Sequence, residues 1–218
     1  MTEAELLFEH FCRERDIGVQ RLREGSAKMP DYEIRVGQLV VAVEVKQLEP
    51  NTEDKKSLEE RRQPGSGFHY ENMERPRQSI RDATKQLRAH TQKRMPAVVV
   101  LFDTLDGSLG YLDSDNIAQC LYGAEQFHFA VPDLPRNKPV FLGVSLGGRR
   151  IATPQDNTTL SAVATLRFHR SADQLSLTVF HNSYAAVPID PAHFRVRDVT
   201  HFAHLAKDQN RLPRWIPV

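Results

Sequence analysis

Apolar and polar positions alternate along this chain with two different periods. Leu7, Phe8, Phe11 and Cys12 recur at the three- and four-residue spacing of one helix face. They follow Thr2-Glu3-Ala4-Glu5, a capping-box pattern whose hydroxyl and carboxylate serve free N–H groups of a first helical turn. A helix is predicted there, with Glu5 and Glu9 four apart on one face. Residues 18–22 predict a short first strand. Leu39-Val40-Val41-Ala42-Val43 is apolar throughout, as in a strand buried on both faces. Gly37-Gln38 separates it from residues 31–36. A two-residue loop with glycine first suits a type II′ hairpin. That turn pairs Val36 with Leu39 and, further out, sets Asp31 opposite Glu44.

The remaining pattern is coarser. Residues 47–77 are polar and charged, with Pro50, Pro64, Gly65 and Gly67, and predict an inserted loop with a helical turn or two around 55–62. Residues 79–93 predict a helix that buries Ile80, Ala83, Thr84 and Leu87. Its other face is basic, through Arg77 just ahead of it, Arg81, Lys85 and Arg88. Residues 97–103 predict a buried strand and 116–126 a helix. Strands are expected at 140–146, 160–168 and 175–180, the last two joined through Ser171-Ala172-Asp173. Residues 198–218 are expected to form a short helix and a tail.

The hairpin carries the chemistry. Directly opposed residues have Cβ atoms about 4.5–5.5 Å apart, so Asp31 and Glu44 converge. Side chains alternate along a strand, so Lys46 shares their face and Val45 points away. Opposed like charges destabilise a hairpin, and a divalent cation between them turns the conflict into a site.

Composition narrows the classes. The 218 residues are 40% hydrophobic and 26% charged, with formal net charge +1, ordinary values that give no global field toward nucleic acid or membrane. The two cysteines, Cys12 and Cys120, lack metal-type spacing and suit a reducing, cytoplasmic location. The longest apolar run, residues 97–102, is far too short to span a bilayer. The acidic start of the chain is no secretory signal.

Pro30-Asp31, then Glu44-Val45-Lys46, then a helix bearing Gln86 resembles the PD-(D/E)xK nuclease superfamily over roughly residues 1–130. The resemblance implies an α/β fold: a restriction-endonuclease-like core with a central mixed sheet flanked by helices, followed by a β-rich C-terminal extension. One domain would cover 1–218, with the core at about 1–130, the inserted loop at 47–77 and the extension at about 131–218. The long insertion after Lys46 departs from the compact members of that superfamily. The implied activity is Mg²⁺-dependent hydrolysis of phosphodiester bonds by an endonuclease, with Mn²⁺ able to substitute. Asp31 and Glu44 would hold the metal and Lys46 would sit beside the attacked phosphate. Glu9 or Glu5 would supply a further ligand or position water, and Gln86 would be the functional polar residue of the helix. Arg77, Arg81, Lys85 and Arg88 would neutralise the nucleic-acid backbone. The implied partner is nucleic acid, DNA first, with a homodimer or a larger DNA-processing complex as open assemblies and no membrane. A non-catalytic module of the same fold, binding nucleic acid or a protein, is the alternative.

Other patterns are weaker. Gly143-Val144-Ser145-Leu146-Gly147 matches a nucleophile elbow, but loop residues follow where a helix is required. His201 and His204 are spaced to share a helix face, yet lack the further ligands a zinc site needs. His181-Asn182 alone does not make a His-Asn-His nuclease. No phosphate loop or dinucleotide fingerprint is present.

Overall fold

The computed structural model describes residues 1–22, 29–61, 74–104, 112–131, 138–169, 172–204 and 215–218. Helix α1 (Glu3–Arg13) is capped as its sequence predicts: the Glu5 N–H donates to Thr2 Oγ1 and the Thr2 N–H to Glu5 Oε2. It buries Ala4, Phe8, Phe11 and Cys12. Strands β1 (Gly18–Arg21), β2 (Tyr32–Val36) and β3 (Leu39–Leu48) form an antiparallel meander. Gly37 has φ +59°, the left-handed first position of a type II′ turn, which glycine adopts without a Cβ penalty. Val36 pairs with Leu39 and Tyr32 with Val43, the register that turn sets.

Strand β4 (Ala97–Asp103), buried at every position, pairs parallel with β3. The crossover between them carries α2 (Thr52–Arg61) and α3 (Glu74–Thr91). The inserted loop expected at 47–77 is therefore corrected at both ends. β3 runs to Leu48, and α3 begins five residues before the expected start at 79. Helix α2 has a reciprocal cap, with the Asp54 N–H donating to Asn51 Oδ1 and the Asn51 N–H to Asp54 Oδ2. Arg75 of α3 pairs with the buried Asp54 and ties the two helices together. The Pro64, Gly65 and Gly67 part of that segment lies outside the described residues.

After β4 come α4 (Ser114–Tyr122) and an antiparallel ribbon of β5 (Glu125–Ala130) and β6 (Val140–Leu146). The helix expected to reach residue 126 stops at Tyr122. Gly123, at φ +91°, receives no helical continuation, and residues 125 and 126 belong to β5. Strands β7 (Ala162–His169) and β8 (Gln174–His181) return to the main sheet, β7 parallel to β4. A single 3-10 turn at Pro191–Phe194 leads to β9 (Val199–His204) and β10 (Trp215–Pro217). In the described part of 198–218 these two strands stand where a short helix and a tail were expected; residues 205–214 of that expectation lie outside the described residues. The sheet order is β1-β2-β3-β4-β7-β8-β9-β10, so β7 to β10 continue the same sheet, while β5 and β6 pair with each other in a separate ribbon.

Two apolar layers cover this mixed sheet. On one face α1 packs Phe8 and Phe11 against Tyr32, Val43, Val45 and Val100. On the other, Ile80, Ala83 and Leu87 of α3 and Ile117 and Leu121 of α4 pack against Ala42, Val99 and Leu101. Among the described residues no helix is long and apolar enough to cross a membrane.

Candidate functional site

The β2–β3 ladder ends at the Tyr32–Val43 pair. Beyond it the two strands part, and carboxylates replace carbonyls as hydrogen-bond acceptors. The Asp31 N–H donates to Glu44 Oε2 at 3.1 Å, and the Val45 N–H donates to Asp31 Oδ2 at 2.8 Å. Each acid thus satisfies a backbone N–H of the opposite strand, which buried N–H groups require. β3 stays paired with β4 through this stretch, Glu44 beside Val99 and Lys46 beside Leu101. Its other neighbour therefore holds Glu44 in place while β2 departs.

Alternation sorts the side chains. Val43 and Val45 enter the layer under α1; Ala42 and Leu48 enter the layer under α3. Glu44 and Lys46 share the α3 side. Lys46 Nζ donates to Glu44 Oε1 at 2.6 Å and to Gln86 Oε1 of α3 at 3.3 Å. The Glu44 side chain is 1% exposed and that of Lys46 30%, so the ammonium lies between the buried acid and solvent. Asp31, Glu44, Lys46 and Gln86, separated by up to 55 positions in sequence, form one hydrogen-bonded cluster.

Burial raises the pKa of both acids. For Asp31 desolvation leads, opposed by the Val45 N–H and the Lys46 charge, with Glu5 adding to the rise. For Glu44 desolvation again leads, Lys46 opposes it, and Asp31 pushes it further up. Two desolvated carboxylates with one ammonium between them favour a further positive charge nearby.

Glu9 stands elsewhere. Its Oε1 accepts the Tyr32 hydroxyl at 3.0 Å and lies 3.7 Å from Arg21. It makes no bond to Asp31, Glu44 or Lys46; the α1 acid whose charge reaches Asp31 is Glu5, itself 2.8 Å from Arg21. Arg21 and Tyr32 were missed from sequence. Their signal was the β1–β2 pairing, which sets Arg21 opposite Tyr32 and beside the α1 acids. A second polar contact on the α3 side, His90 Nε2 to Glu33 Oε1 at 2.8 Å, also escaped notice.

The expected basic face of α3 divides. Arg77 turns inward, 7% exposed, between Glu74 and the Gln119 carbonyl, so it does not join a solvent face. Arg81 lies 3.6 Å from Glu74, Lys85 pairs with Asp82 at 2.8 Å, and Arg88 donates to Asn157 Oδ1 at 2.8 Å. These three reach solvent.

Ser145 sits within β6, hydrogen-bonded to His128 at 2.6 Å, and no helix follows it, so the elbow pattern has no elbow. His201 lies on a strand, not a helix. It is buried against His181 (Nδ1 to Nε2, 3.0 Å) and the Phe194 carbonyl (3.0 Å). Among the described residues no group of three or more His, Cys, Asp or Glu side chains is placed to hold a metal. Mg²⁺ does not need one, since it is commonly bound by one or two carboxylates together with waters and substrate phosphate.

Comparison with protein-family models, with curated proteins and with solved structures finds no match for this chain. Fold and site together define a mixed α/β protein, its large sheet flanked by helices and interrupted at the β2–β3 fork by a buried acid pair and a lysine.

Proposed function

We propose that the chain is a Mg²⁺-dependent nuclease with a restriction-endonuclease-like core, hydrolysing phosphodiester bonds of DNA. The observation that carries this reading is the fork where Asp31 and Glu44 cross-brace two parting strands while Lys46 bridges Glu44 to Gln86. The element order also supports it: helix, three-stranded meander, a crossover of two helices, parallel strand.

The donor set fits a hard divalent cation. Both acids are desolvated, Asp31 Oδ1 lies outside the cross-bracing bonds, and oxygen ligands are what Mg²⁺ takes. Asp31 and Glu44 would hold it. When bound, the ion lowers the pKa of a coordinated water and polarises the phosphoryl group. Lys46 is fixed by Glu44 and Gln86, so it meets developing phosphate charge without reorganising, which is where preorganised electrostatics accelerate a reaction. Arg81, Lys85 and Arg88 line the same helix and would neutralise backbone phosphates without reading bases.

Plasmid nicking tests the reading. Purified protein should nick supercoiled DNA with Mg²⁺ or Mn²⁺ and stop with EDTA. Lys46→Ala should bind DNA and cut it about a hundredfold more slowly, the scale of losing one preorganised charge-stabilising donor. Glu44→Ala should lose Mg²⁺ affinity together with activity. Wild-type protein that binds DNA but cuts no DNA or RNA with either metal refutes the enzyme and leaves a binding module.

A further inference from the structure

The ribbon β5–β6 stands apart from the sheet and exposes an apolar face. Of the nine large hydrophobic side chains exposed among the described residues, five belong to it, Phe127, Phe129, Val140, Phe141 and Leu142, and a sixth, Val131, directly follows β5. That concentration is not the scatter expected of an ordinary surface.

The register sorts them. Phe127 pairs with Val144, and Phe129 with Phe141, their rings 5.5 Å apart and edge-to-face. The slip between His128 and Phe129 leaves Leu142 as the extra residue of a bulge. Paired residues share a face, so Phe127, Phe129, Phe141 and Val144 lie together. His128 and Ser145, bonded to each other, lie on the opposite side. That opposite side also carries the Ala130–Val140 pair, so it is mixed, while the side with the rings is wholly apolar and faces water. A lone two-stranded hairpin is marginal in water, and among the described residues neither strand pairs with a third.

We infer that this aromatic face is a self-association surface, which packs on the same ribbon of a second copy of this chain. Charge argues against nucleic acid as the occupant. Neither strand contains a lysine or arginine, and Glu125 and His128 are their only ionisable side chains. Backbone binding requires cations. An uncharged apolar face is complementary to itself, as a twofold contact demands. The area agrees. Each phenylalanine offers on the order of 200 Å², and the three are 60%, 53% and 52% exposed, with Val131 at 78%. One copy thus shows roughly 450 Å², and two would bury roughly 900 Å², close to the lower bound of about 1,000 Å² for a specific interface. An interface of this size is a weak, transient one, so the dimer should form only at high protein concentration. The inference does not depend on the nuclease reading.

Sedimentation of the full chain tests it. Wild type should move from the 24.9 kDa of one chain toward twice that mass as its concentration rises to several hundred micromolar, on the order of the Kd of a weak interface. Phe129→Glu, at an exposed position, should stay monomeric with an unchanged circular dichroism spectrum. As a second readout, Phe141→Cys should form a disulfide-linked dimer under mild oxidation. Cys12 and Cys120 are buried and should not compete. A monomeric wild type or a Phe129→Glu variant that still dimerises would each overturn the inference, and a cross-linked Phe141→Cys dimer would support it. A monomer whose ribbon holds a different protein falls under the first of these. Loss of dimerisation with intact nicking, or the reverse, separates this surface from the proposed catalytic site.

Discussion

Lys46→Met puts the electrostatics of the fork to a direct test. The change removes the ammonium 2.6 Å from Glu44 Oε1 and keeps most of the aliphatic stem. Glu44, 1% exposed, is left with only the Asp31 N–H. Breaking a buried pair by removing one partner costs about 3–5 kcal/mol. Lys46 itself is 30% exposed, so water reaches the vacated position, and the expected loss near neutral pH is about 1–3 kcal/mol. The loss should depend on pH with a definite sign. Burial already raises the Glu44 pKa above that of the unfolded chain, and removing Lys46 raises it further. A group with a raised folded-state pKa binds more protons folded than unfolded, so its contribution to stability falls as pH rises through the folded value. The variant should therefore lose more stability relative to wild type at pH 8 than at pH 5, because lower pH moves Glu44 toward the neutral form that strands no charge. Urea unfolding of both proteins at the two pH values measures this. Lys46→Met/Glu44→Gln, with no carboxylate to strand, should lose the pH dependence of the difference. Equal destabilisation at both pH values, or a variant more stable than wild type at pH 8, would refute the claim that Lys46 holds Glu44 as a buried anion.

Two further outcomes follow from neighbouring features. Burial, then the nearby His201, depresses the His181 pKa to about 4; such a base stabilises fully above the unfolded value of about 6.5 and loses that contribution as pH falls toward 4. Stability should drop by about 1–2 kcal/mol across that window once partial solvent screening is allowed for, and His181→Gln, which keeps a donor for His201, should flatten the drop in pH-dependent urea unfolding. On α3, charge reversal at Arg81 and Lys85 should weaken binding to all DNA sequences alike and reduce its salt slope by roughly one or two, as fluorescence anisotropy at several salt concentrations would report. Arg77→Glu should instead lower the melting temperature, because Arg77 is buried against the Gln119 carbonyl.

The fork was legible because its cues are local. Gly37 fixes the turn, the turn fixes the register, and strand alternation assigns Glu44 and Lys46 to one face. What sequence misjudged depends on partners far along the chain. The start of α3, Glu74-Arg75-Pro76-Arg77, has no apolar stripe to mark a helix; Arg75 pairs there with Asp54, and Arg77 is buried against the Gln119 carbonyl of α4, contacts that no periodicity reveals. The first two residues of β5 fell within the helix expected over 116–126 because Glu125-Gln126 is compatible with a helix, although Gly123 marks the stop. His201 and His204 matched a helical spacing, while the β-branched pair Val199-Thr200 pointed to a strand lying beside β8. Glu9 and Glu5 lie on the same helical face, so spacing could not tell them apart; the position of Arg21 and Tyr32 does.

The crossed bonds at the fork make Asp31 a splice between two pieces of backbone. An alanine there would leave the Val45 N–H without its acceptor at the point where β2 leaves β3, so the hairpin could fray inward from its open end toward Tyr32 and the α1 layer. Loss of function in such a variant would reflect an unzipped edge as much as a missing charge. Asn keeps an oxygen acceptor for Val45 while removing the anion, so Asp31→Asn, set beside Asp31→Ala, separates the share of this acid that belongs to architecture from the share that belongs to chemistry.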